Sequence, residues 1–103
     1  MSYSQEIREN YKINSEDSGC TFLLYGSGEI TISETFIGCF SIVANDDNQL
    51  NEFTITSAHK PINGFRVLDA FSFSLQSGGY ITLIAGENNI SILVCSNENI
   101  RFI

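Results

Sequence analysis

The sequence predicts an all-β fold: a single-domain antiparallel β-sandwich, jelly-roll-like or closed as a partly open barrel, with about eight strands. Three observations predict it. Short stretches of alternating apolar and polar residues recur about every ten residues, each closed by Gly, Asn, Asp or Ser. Eight Phe and four Tyr, with no Trp, suit pleated surfaces, because ring and branched side chains lose rotamer freedom on a helix. No segment sustains the 3.6-residue apolar spacing of an amphipathic helix.

Residues 1–19 are polar, with Ser, Glu, Asn and Asp gathered at 14–19. They read as an N-terminal arm ahead of a sandwich domain at 20–103, and 5–11 admits a short helical turn. Residues 20–25 form a first strand, and Gly26-Ser-Gly28 turns it into a second at 29–33, as a hairpin would. A strand follows at 36–44, with Phe40, Ile42 and Ala44 on one face and Cys39, Ser41 and Val43 on the other. The cluster from Asn45 to Asn48 ends it, since short polar side chains bond neighbouring backbone.

Residues 50–57 place Phe53 and Ile55 inward and Thr54 and Thr56 outward, the pattern of a half-buried antiparallel strand. After the single proline connection, 65–68 reads as an edge strand with Arg66 toward water. Residues 70–75 set Phe71, Phe73 and Leu75 against Ser72 and Ser74. The run 80–85 is apolar at nearly every position, which places it centrally or at a subunit contact. Gly86 to Asn89 then forms a hairpin loop into 90–95. The apolar end 100–103 would be costly as a free tail and is expected to pair as a last strand.

Five Lys and Arg against twelve Asp and Glu give a net charge of −7. That leaves no basic footprint for phosphates, so nucleic acid is not an expected partner. The start lacks the pattern of a secretory signal and no run reaches membrane-spanning length, so neither membrane nor secretion is expected. Three cysteines without a C-x-x-C pair suggest buried free thiols rather than a disulfide framework or a zinc site.

No constellation carries catalysis. His59 is the only histidine, sits in a loop before Lys60-Pro61, and reads as a solvated surface residue. Asp46 and Asp47 are adjacent turn formers, without the spacing of a calcium loop or of converging carboxylates. The glycines at 26, 28, 78 and 79 lie between strands with no following helix, unlike a phosphate loop. No catalytic residue, metal or cofactor is therefore expected. Function is expected in protein contacts, with Tyr25, Phe36, Tyr80, Ile81 and Leu83 as apolar anchors and Asp46, Asp47 and Glu52 as charged ones.

The stretch 36–95 resembles the small β-sandwich virion proteins of tailed bacteriophages, which decorate heads or build tails and fibres. The resemblance lies in Phe36-x-Gly38-x-Phe40-x-Ile42, in the acidic turn at 45–48 before Leu50 and Phe53, and in the Gly78 to Leu83 strand. It implies a homo-oligomer, often a homotrimer, located in a virion; without a phage context the chain is expected in the cytoplasm. Two other readings compete with this structural module. One is an acidic inhibitor or immunity-type protein that caps a basic partner. The other is a carbohydrate- or peptide-binding sandwich.

Overall fold

The computed structural model describes residues 3–44, 52–64, 67–96 and 98–103. Within them the chain is all-β, with twelve strands in two facing sheets that form a sandwich. Residues 3–13, expected as part of a polar arm with a helical turn, are strands instead: β1 (Tyr3–Ile7) and β2 (Tyr11–Ile13). Their polar composition conceals a period of two. Ile7 and Ile13 turn into the core while Glu6 and Lys12 turn out. A capped 3-10 turn, Ser15–Asp17, closes the segment. Asn14 accepts from the Glu16 N–H, and the Asp17 carboxylate accepts from the Asn14 N–H at 3.0 Å.

Strands β3 (Cys20–Leu24), β4 (Ser27–Ile32), β5 (Gly38–Ala44) and β6 (Glu52–Ser57) keep switching between the sheets. β1, β3 and β5 pair in parallel in one sheet, and β2, β4 and β6 do so in the other. The first half of the chain is thus three stacked coils, not a set of hairpins. The expected hairpin between 20–25 and 29–33 does not form, because β3 and β4 lie in different sheets. A two-residue connection carrying Gly26, at φ 80°, serves a corner between sheets as well as a reversal within one. Equivalent positions stack from coil to coil, as Ile7, Leu24 and Ala44 do in one sheet and Tyr11, Ile30 and Ile55 in the other.

Six further strands cap the coils: β7 (Ile62–Gly64), β8 (Val67–Ala70), β9 (Ser72–Gln76), β10 (Tyr80–Ala85), β11 (Ile90–Cys95) and β12 (Ile100–Phe102). They pair antiparallel except for β7 and β11, which run parallel. β10 pairs with β5 and forms the expected hairpin with β11, while β9 pairs with β6 and with the terminal strand β12. The resulting orders are β1-β3-β5-β10-β11-β7-β8 and β12-β9-β6-β4-β2. The edge strand expected at 65–68 overlaps β8 at 67–68, and residues 65 and 66, Arg66 included, lie outside the described residues. Phe71 falls between β8 and β9 and is 44% exposed, so it does not join Phe73 and Leu75 in the core.

Phe22, Phe36 and Phe40 meet edge to face in the core, with centroids 5.3 to 6.2 Å apart. The pattern did not suggest one further buried residue, Lys60, which is 5% exposed. Its ammonium donates to the Phe36 and Gly86 carbonyls, both at 2.7 Å, which ties the 33–37 connection to the β10–β11 turn. The four sheet edges each carry a charged side chain: Glu6 on β1, Asp69 on β8, Lys12 on β2 and Arg101 on β12. Charges on exposed edges oppose strand addition.

Candidate interaction face

Four adjacent strands of the larger sheet, β3, β5, β10 and β11, contain no Asp, Glu, Lys, Arg or His. The residues that alternate inward fill the core: Phe22 and Leu24, Phe40 and Ile42, Ile81 and Leu83, Ile90 and Ile92. Those that alternate outward form a surface of three rows running across the strands. The first row is Leu23, Val43 and Tyr80; the second is Thr21, Ser41, Thr82 and Val94; the third is Cys39, Ile84 and Ser91. A register shift between Thr82 and Leu83 in the β10–β11 pairing adds Leu93 to the same outer surface.

Large apolar side chains on this face stand open. Tyr80 is 45% exposed, Ile84 43%, Leu93 48% and Val94 49%, enough to distinguish them from core residues caught at a rim. The middle row is polar apart from Val94, and partly satisfied, because the Ser41 and Thr82 hydroxyls bond each other at 2.8 Å. Burying that row therefore costs less than burying free hydroxyls.

The outer face of the smaller sheet differs in kind. Thr31, Thr54, Thr56, Ser72 and Ser74 occupy it, with Lys12, Glu29, Glu52 and Arg101 among them. A depression of about 520 Å³ at its β2–β4 end is lined by Asn10, Tyr11, Lys12, Glu29 and Thr31. Its polar groups are largely engaged already. The Asn10 side-chain Oδ1 accepts from the Glu29 N–H at 2.8 Å, and the Tyr11 hydroxyl bonds the Asp17 carboxylate at 3.0 and 3.1 Å. Burial, then that carboxylate, pushes the Tyr11 hydroxyl up to about 12.

Of the anchors expected from sequence, only Tyr80 lies on the charge-free face. Phe36, Ile81 and Leu83 are core residues with at most 1% exposure and present nothing to a partner. Tyr25 is half-buried at the end of β3, with the Arg8 guanidinium 4.5 Å over its ring. Glu52 opens β6 on the opposite sheet, and Asp46 and Asp47 lie outside the described residues. Val43, Ile84, Leu93 and Val94 also stand on this face, none of them among the anchors named from sequence. Val43 alternates with the inward set of its strand, and Ile84 lies in the run that the sequence places centrally or at a subunit contact. In β10 and β11 both parities are apolar, so alternation does not say which one faces out.

His59 pairs with Glu34 at 3.1 Å, both well exposed, in keeping with a solvated surface histidine. Among the described residues no three His, Cys, Asp or Glu side chains gather as metal ligands. The cysteines are free thiols, Cys20 buried and Cys39 and Cys95 half-buried; burial raises the Cys20 thiol above its ordinary value. No protein-family model matches the chain, and no curated protein matches it significantly in sequence.

Proposed function

We propose that this chain is a non-enzymatic, protein-binding structural module whose contact surface is the outer face of β3, β5, β10 and β11. One observation carries the reading: four neighbouring strands free of charged residues, in a chain with seventeen Asp, Glu, Lys and Arg, expose Tyr80, Ile84, Leu93 and Val94 together. Depletion of charge with apolar and aromatic anchors is the composition of an interface centre, with charge kept to the rim. Here the rim is the set of edge strands bearing Glu6 and Asp69. An inhibitor driven by acidity would instead gather its carboxylates on one face. The described acids are spread over edges, turns and the opposite sheet.

A photo-crosslinking residue at position 84, in the full chain made in its native cells, tests this reading against the same residue at position 54 on the opposite face. Protein adducts from 84 and not from 54 are expected. Equal yields from both positions, or none from 84, would remove the face from consideration. The layout shared with small virion proteins of tailed phages supports a place in an assembled particle. Capsid or tail genes beside its own are the expected genomic context, whereas an adjoining toxin gene would favour the acidic inhibitor.

A further inference from the structure

We infer that the occupant of this face is a different protein whose apolar patch is bordered by Lys and Arg, held by the charge-free centre and selected by an acidic rim. The inference rests on the reading of this face as the contact surface. It is carried by where the chain places its charges. Glu6 on β1 is in register with Leu23, at one side of the face. Asp69, at the other side, donates its N–H to the Asn63 side chain at 2.8 Å, and Asn63 is in register with Ser91. Glu87 stands in the turn between β10 and β11, just beyond Ile84. Glu98 follows β11; its carbonyl accepts from the Ser96 hydroxyl, which accepts in turn from the Tyr80 N–H at 3.3 Å. Glu16 lies in the turn before β3, close to Ser18, whose hydroxyl accepts from the Cys39 N–H at 3.4 Å.

All of these acids are exposed. Among the described residues the one cation beside them is Arg8, which pairs with Glu6 at 3.1 Å. The other described cations lie elsewhere. Lys60 is buried against the Phe36 and Gly86 carbonyls, and Lys12 and Arg101 stand on the outer face of the smaller sheet, interspersed there with Glu29 and Glu52. That face is of mixed sign, whereas the border of the charge-free face is acidic. A border of one sign repels a second copy of this chain and draws a partner of the opposite sign. Exposed ion pairs at a rim add little to affinity, but they speed association and turn away wrong partners. Affinity then comes from covering Tyr80, Ile84, Leu93 and Val94.

Photo-crosslinking from position 84 of the full chain tests this, with the adduct peptide sequenced to locate the contacted patch on the partner. Circular dichroism confirms that each variant keeps its sheets. Lys and Arg are expected around the partner's crosslinked apolar residue. Glu87→Lys and Glu98→Lys are each expected to slow adduct formation several-fold in lysate at low salt, because each sets a cation against the partner's own and rim charges act on the association rate. Glu52→Lys makes the same change in net charge on the opposite sheet and is expected to leave the rate as it was. A contacted patch bordered by acids or by uncharged residues, an adduct with a second copy of this chain, or equal rates from the Glu52→Lys and rim variants would overturn the inference and leave the interaction reading standing. Absence of any adduct from position 84 sinks both.

Discussion

Tyr11 and Asp17 show how much one polar contact contributes at the corner of a small sandwich. Asp17 is buried to 5% exposure and is served by the Tyr11 hydroxyl and the Asn14 N–H. Tyr11→Phe leaves that carboxylate one donor short, at a cost of about 1–2 kcal/mol near neutral pH. With the hydroxyl raised from 10.0 to about 12 in the folded chain, its contribution is fully present below pH 10 and is lost as pH climbs toward 12. Urea unfolding of wild type and variant should therefore show a gap at pH 8 that narrows by pH 11. A gap independent of pH would deny the hydrogen bond its role. Other residues resisted reading for definite reasons. Phe36 was a candidate anchor as an aromatic that could lie at the surface, yet its ring packs on Phe40 at 5.3 Å. Lys60 looked like part of a solvated loop because lysine is seldom buried without an acid. Only the fold brings it two carbonyl acceptors, from Phe36 and Gly86.

Within each strand, inward and outward positions were legible where one parity was polar, as in β5 and β6; partners were not. Period-two alternation is the same in parallel and antiparallel ladders, so nothing in residues 20–33 distinguished a hairpin from a coil turning a corner. The opening strands were hidden for another reason: β1 and β2 sit at sheet edges, and each sends only one isoleucine into the core. Ile13→Ala distinguishes a strand from a detachable arm. Ile13 is fully buried and pairs with Ile32, so the substitution should cost about 2–4 kcal/mol in denaturant unfolding. An arm tethered outside the domain would tolerate it without measurable loss. The hairpin of β10 and β11 was legible because its loop, Gly86 to Asn89, supplies turn residues at the right spacing, and the Gly86 N–H donates to the Asn89 carbonyl at 2.9 Å.

For the molecule as a whole, the two outer faces have opposite characters, one charge-free across β3, β5, β10 and β11 and one set with hydroxyls and charges. The affinity of a contact through the first would be insensitive to salt, because screening takes nothing from an uncharged surface. The crosslinking yield from position 84 in lysate is expected to persist as sodium chloride rises toward about 0.5 M, whereas a yield that falls steeply would mean that opposite charges drive the contact. The sequence foretold an acidic sandwich, but the charge-free surface became visible only once β3, β5, β10 and β11 stood side by side. The stacked coils carry one more consequence, for how such a chain can vary. A further coil laid against β1 and β2 would widen the domain by about 4.8 Å in each sheet. It would leave β5, β10 and β11 as they are, so the length of the domain can change without altering the surface they form.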